Sequence, residues 1–235
     1  QTHLMNLPVY YEYKDDSVTD KQEIEFKYNQ EYKNILDLYV NNSCTKPSML
    51  GSKTVENSMS EFALGKVAMI QNGNWAWGDI KKVSGNVVKE DKIKFLPIYT
   101  GISGEESQGL CISTENFFSV NSEASKEDQE ETIKFVEWLF NSDEGKQAVT
   151  NELGPFNTFE DADNPTDPLA KEVIRYMDNE SLTSVSWNFT SFPSQTFKDD
   201  YGASLLEYIT GNKEWDNVVE DCKAEWKSEK EAIAE

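Results

Sequence analysis

From Glu61 to Ile80 the sequence reads Glu-Phe-Ala-Leu-Gly-Lys-Val-Ala-Met-Ile-Gln-Asn-Gly-Asn-Trp-Ala-Trp-Gly-Asp-Ile, and no other stretch narrows the possible folds as much. Phe62 and Leu64 close a short helical signal that stops at Gly65. Val67–Ile70 is a compact apolar run that reads as a buried strand, and Asn72-Gly73-Asn74 marks a turn. A strand that ends in a polar turn and opens a new helix belongs to an α/β sheet, which presents ligands at the carboxyl ends of its strands. Trp75 comes straight after that turn. A flat, rigid ring there suits the apolar face of a pyranose, with amides such as Asn74 to satisfy hydroxyls and Trp77 as a neighbouring ring.

The rest of the chain carries periodicities of uneven clarity. Residues 1–27 mix apolar, aromatic and polar residues and yield no element. Tyr28, Tyr32, Ile35, Leu36 and Tyr39 fall on one helical face that ends at Asn41-Asn42-Ser43. Ile93–Tyr99 reads as a strand, Thr100–Gln108 as a solvated loop containing Glu105 and Glu106, and Gly109–Ile112 and Phe117–Val120 as short apolar runs. Glu115 and Asn116 stand at the corner between those runs, where acceptors and donors can face a cleft. Ser125-Lys-Glu-Asp128 is a capping-box pattern opening a helix whose Ile133, Val136, Leu139 and Phe140 form the buried stripe, with Trp138 in the core beside them.

Leu153-Gly-Pro-Phe-Asn157 breaks the chain, and the next helix turns Leu169, Val173, Ile174 and Met177 inward. Residues 184–197 hold a second aromatic cluster. Trp187 and Phe189 share parity in an extended run with Asn188 between them, while Phe192 and Phe197 go mostly to the core. Two helices follow, one ending at Gly211 and one carrying Trp215, Val218, Val219, Cys222 and Trp226 on a single face.

Several function classes lose support on chemistry alone. Among 235 residues, 43 are acidic and 22 basic, a formal charge of −21 that repels phosphate backbones and anionic lipid, so nucleic acid is not an expected partner. His3 is the sole histidine and lies at the extreme of the chain, which leaves no Ser-His-Asp or Cys-His arrangement within a fold. The nucleotide-binding glycine signatures are absent from the sequence. Cys44, Cys111 and Cys222 have neither metal-ligand nor disulfide-framework spacing. The acidic run from Glu160 to Asp167 lacks the glycine and distant glutamate of a calcium loop. No catalytic residue, metal ligand or cofactor is therefore assigned.

The run Phe62-Ala-Leu-Gly-Lys-Val-Ala-Met69 followed by Asn72-Gly-Asn-Trp-Ala-Trp77 resembles the strand-and-turn signature of the solute-binding proteins of carbohydrate ABC importers, the family of maltose-binding protein. Leu96-Pro97, the Gly109–Ile112 strand, Phe135-Val-Glu-Trp-Leu139 and Asn141-Ser-Asp-Glu-Gly145 continue the likeness in order. It implies an α/β, periplasmic-binding-protein-like fold of two lobes. In this chain it implies mostly the C-terminal lobe: 1–106 as its first part, 107–156 as a segment crossing to the first lobe, and 157–235 as returning helices. The helix stripe at 133–140 would then pack on strands preceding residue 1.

The resemblance further implies a protein that captures a sugar or oligosaccharide in an interlobe cleft. Hinge closure near Thr100–Gly109 and Gly154–Asn157 would deliver it to the permease subunits of an ABC importer without catalysis. Glu115, Asn116, Asn74, Asn188 and the rings Trp75, Trp77, Trp187 and Phe189 are its implied contacts. The expected location is extracellular, as a surface-anchored lipoprotein or in a periplasm, and the complete protein is expected to be a monomer. A glycoside hydrolase needs only two carboxylates at a set separation, so that enzyme or a carbohydrate-binding module is the alternative.

Overall fold

The computed structural model describes residues 2–113, 117–151 and 165–234. Among them the chain order is α1 (Thr2–Asp16), α2 (Asn29–Asn41), α3 (Val55–Ala63), α4 (Trp77–Ile80), β1 (Gln108–Cys111), α5 (Lys126–Asn141), α6 (Asp143–Asn151), α7 (Pro168–Met177), β2 (Thr183–Val185), α8 (Gln195–Ile209) and α9 (Trp215–Ala234). Short helical turns occur at Pro47–Ser52, Asn74–Ala76 and Phe189–Ser191. The architecture is thus α/β, mostly helical with a small parallel sheet. The chain divides into two units, one from residues 1–54, 97–115 and 181–235 and the other from 55–96 and 116–180.

The first unit is built around α1, the stretch in which the sequence shows no element. Leu4, Met5, Leu7, Val9, Tyr11 and Tyr13 are all buried and surround the helix instead of lining one stripe, the distribution of a helix enclosed on every side. Pro8 lies inside it and withholds one backbone donor. Glu12 is buried as well, and its carboxylate accepts from Lys21 Nζ at 2.7 Å and from the backbone N–H groups of Glu25 and Lys27 at 2.9 Å each. Those bonds gather the 20–28 loop over α1 and seat Ile24 and Phe26 in the core.

Opposite α1, α9 contributes Trp215, Val218, Cys222 and Trp226, spaced three, four and four, to one aromatic core with Tyr32, Phe192, Phe197 and Tyr201. Trp226 donates its indole N–H to Lys21 O at 3.1 Å and Trp215 donates to Asn29 Oδ1 at 3.2 Å, so both rings bury without an orphaned donor. Ser194 caps α8 by accepting from Phe197 N, and Gly211, at φ 78°, supplies the left-handed residue that lets α8 turn toward α9. The sheet is a single parallel pair with Gln108 opposite Thr183 and Cys111 opposite Val185. Gln108 ties it down: its side chain accepts from Tyr11 OH at 2.8 Å and donates to Ile98 O at 2.8 Å.

In the second unit a smaller core joins Met59 and Ala63 of α3, Ala76, Trp77 and Ile80 of the turn and α4, Ile93, and Leu169 of α7. Asp167 caps α7 by accepting from Leu169 N and Ala170 N, with Pro168 in the first helical position, where its missing N–H is not needed. Ser125 caps α5 as the capping-box pattern predicts, accepting from Asp128 N. α6 follows α5 after one residue. A Cβ at Gly145 would stand 2.4 Å from Leu139 O, so this close start requires glycine.

Several expectations are corrected by the structure. Val67–Ile70 is not a buried strand: it has no ladder partner among the described residues, and Met69 is 74% exposed. Short apolar runs do not specify a strand unless another strand lies alongside. Ile93–Tyr99 and Phe117–Val120 likewise have no ladder partner among the described residues, and Phe117 and Phe118 are exposed. On α5 only Leu139 is buried, Val136 and Phe140 are half-buried, and Ile133 and Trp138 are exposed. Met177 of α7 faces out, whereas Leu169 is inward as expected. Glu105 is no solvated loop residue. It is buried and accepts from Thr100 N and Gly101 N at 2.9 and 2.6 Å, closing its own loop. The expected break at Leu153–Asn157 and the acidic run from Glu160 lie outside the described residues.

Candidate functional site

Two turns carry the aromatic residues singled out in the sequence, one in each unit. In the second unit Asn72 Oδ1 accepts from Gly73 N at 2.8 Å, and Ala76 N donates to Gly73 O at 3.1 Å. Trp75 folds its ring back over Gly73 so closely that a Cβ on residue 73 would fall 2.1 Å from the ring edge. Glycine is what lets the indole lie against its own turn. The next two residues go the other way, and the turn sorts its rings sharply: Trp77 is 7% exposed and packed in the core of this unit, whereas Trp75 is 53% exposed. Asn74 is half-buried at the start of the turn. Trp75 is therefore the ring this turn offers to solvent, and Trp77 belongs to the core.

In the first unit the chain leaves β2 through Ser186, Trp187, Asn188 and Phe189. Trp187 and Phe189 stack with ring centroids 5.0 Å apart and planes 15° apart, although Phe189 opens a short helical turn and does not continue an extended run. His3, in the first turn of α1, meets both rings edge-on, at 5.3 Å from Trp187 and 4.9 Å from Phe189. Phe189 in turn rests edge-on against buried Phe192 at 5.6 Å. Trp187, Asn188 and Phe189 are half-buried, so the stack has one side on the core and one toward solvent. Phe192 and Phe197 are buried as expected. The expected contacts Glu115 and Asn116 lie outside the described residues.

Three participants had no signal in the sequence as ligand-site residues. His3 stood apart as an isolated histidine, Ser113 as part of a polar corner, and Asn6 within a segment without periodicity. Ser113 Oγ accepts from Trp187 N at 3.0 Å, and the Asn6 side chain bonds the backbone on either side of Trp187. Their partners are up to 182 residues away in the chain, beyond the reach of any local pattern.

The first unit also has a concavity of about 310 Å³ lined by residues including Tyr201, Ser204, Glu207, Lys213 and Asp221. Lys213 is already engaged there by Glu207 at 2.7 Å, Asp221 at 2.8 Å and Ser204 Oγ at 3.0 Å. Cys222, also in its lining, is buried, and burial with the charges of Glu12 and Asp221 pushes its thiol well above the ordinary range, which keeps it protonated and unreactive. No group of three or more metal-ligating side chains occurs among the described residues. What the two aromatic turns can do chemically is to offer flat apolar faces bordered by amides.

The family model of bacterial extracellular solute-binding proteins matches residues 6–177, most of the chain. The protein belongs to this family. Its class is thus that of proteins that bind a solute outside the cytoplasm for ABC transport and meet the permease components of such a transporter, a class generally without catalytic activity. No curated protein matches the sequence. Among the described residues no helix is long and apolar enough to cross a membrane.

Proposed function

We propose that the solute is a sugar or oligosaccharide, with the Trp187–Phe189 stack and Trp75 as its aromatic contacts and Asn188 and Asn74 as hydrogen-bonding neighbours. The observation that supports this most is the Trp187–Phe189 stack, held half-exposed with Asn188 between the two residues in sequence. Stacked aromatic faces take up the C–H face of a pyranose at little entropic loss, and side-chain amides satisfy hydroxyls that would otherwise lose water. The protein binds this sugar for the transporter and does not cleave it.

Calorimetry with maltotriose, xylotriose and mannotriose tests the reading. At least one should bind, no reducing ends should be released on prolonged incubation, and Trp187→Ala should weaken binding by about 1–3 kcal/mol, the scale of one lost aromatic contact face. Trp75→Ala should cost a similar amount. Absence of binding to all three, or unchanged affinity in both variants, would overturn the sugar assignment while leaving the family membership intact.

A further inference from the structure

Asn6 is fully buried in the second turn of α1, among leucines, methionine and proline. A primary amide in such a place is costly unless both its ends are bonded. Both are: Nδ2 donates to Ser186 O at 2.9 Å, and Oδ1 accepts from Asn188 N at 2.8 Å. One side chain thereby takes the carbonyl and the N–H that an extended segment directs to one edge.

The opposite edge of the same segment is bonded too. Ile112 N donates to Val185 O at 2.9 Å, and Trp187 N donates to Ser113 Oγ at 3.0 Å. In an extended chain the backbone groups of successive residues point to alternate edges. Val185 and Trp187 are accordingly held from the β1 side, and Ser186 and Asn188 from the α1 side. Asn6 does the work of a neighbouring strand where none lies among the described residues, continuing the edge pairing of β2 past its last ladder residue up to the short helical turn at Phe189–Ser191. The same helix places His3, three residues earlier and so on the same side of α1, edge-on to both rings of the stack.

We propose that Asn6 is the positioning residue of the Trp187–Phe189 surface. It acts through the backbone of Ser186 and Asn188, touches no ligand itself, and through that clamp sets the affinity for the sugar. This rests on the sugar reading above for its functional half. Its geometric half stands separately.

The test compares Asn6→Leu, which keeps the volume and loses both bonds, with Asn6→Asp, which keeps the acceptor and sets a carboxylate oxygen against Ser186 O. His3 is the sole histidine, so its Cε1–H gives a single assignable NMR signal in the ring currents of Trp187 and Phe189. Both variants should move that signal toward the value of a solvated imidazole and weaken binding of the tightest of the three trisaccharides about tenfold. In Trp187→Ala, adding Asn6→Leu should cost little further, because the two changes act on one surface.

Lowering the pH should restore much of the Asn6→Asp affinity, since the protonated acid again donates to Ser186 O. That variant keeps the shape of the site and serves if Asn6→Leu does not fold. An unmoved His3 signal would overturn the clamp. Full affinity in the Asn6 variants, with Trp187→Ala impaired, would overturn the functional half, as would a lower melting temperature with affinity intact. If Trp187→Ala itself binds normally, the functional half fails, and the His3 signal alone decides the clamp.

Discussion

Helices α5 and α9 start from comparable patterns and end in opposite surroundings. Each has aromatic and aliphatic residues at helical spacing, and each has charges on its remaining positions. α9 buries Trp215, Val218, Cys222 and Trp226 against α1, α2 and α8. α5 leaves Ile133, Phe135 and Trp138 exposed, with Phe135 and Trp138 at 5.9 Å as each other's ring neighbours. An amphipathic stripe therefore specifies that a helix forms and which side is apolar. It does not specify that the apolar side is covered, which depends on elements remote in the chain.

Trp226→Ala is the strongest way to sharpen this contrast. It removes a fully buried ring and its hydrogen bond to Lys21 O, and should cost about 3–5 kcal/mol in denaturant unfolding. A loss below about 1 kcal/mol would show that the first unit's core tolerates the cavity and that burial at α9 is not what distinguishes the two helices.

The second unit has an effect of intermediate size, readable by pH. Burial pushes the Glu172 carboxyl up, but hydrogen bonds from Arg175 at 2.9 Å and Lys94 at 3.0 Å outweigh it and hold the carboxyl below the ordinary glutamate value. A carboxyl depressed in the folded state contributes stability above its unfolded pKa and loses it as the pH falls through the folded one. Acidification below the ordinary glutamate range should destabilise the native chain more than Glu172→Gln. The difference should be about 1 kcal/mol or less, because Arg175 and Lys94 are themselves mostly exposed. Parallel pH profiles for the two proteins would remove Glu172 from the account.

Trp138→Ala should have the smallest effect, within about 0.5 kcal/mol, since the ring is already 47% exposed. A cost approaching that of Trp226→Ala would break the comparison and show that α5 is covered in solution.

How far the sequence could be read follows from the same contrast. α2 and α9 were legible because their apolar residues share one face, and α5 because Ser125 and Asp128 form a cap that requires no distant partner. α1 was illegible because a helix apolar on all sides has no period to detect, and Pro8 argues locally against it. Val67–Ile70 invited a strand on composition, yet a strand exists only where a second supplies its hydrogen bonds. Exposed Trp75 could be anticipated from the polar turn before it, and the aromatic cluster at Trp187 and Phe189 from its composition. The groups that hold the second pair could not, since nothing near Asn6 signals a bond to residues 186 and 188. Glu105 shows the intermediate case: its partners Thr100 and Gly101 are close in sequence, but the loop must close before the carboxylate can reach them.

The interleaving of the two units also imposes an order on synthesis. The surface of α1 is completed by Val185, Phe192, Phe197, Tyr201 and the tryptophans of α9, so α1 waits for α9. At a translation rate of roughly 5–20 residues per second, an interval on the order of 10–40 s separates the appearance of Leu4 from that of Trp226. Throughout it α1, whose apolar residues are buried in the finished fold, has no permanent cover. The nascent protein stays open by topology, and its first unit closes only when the final turns of α9 are present.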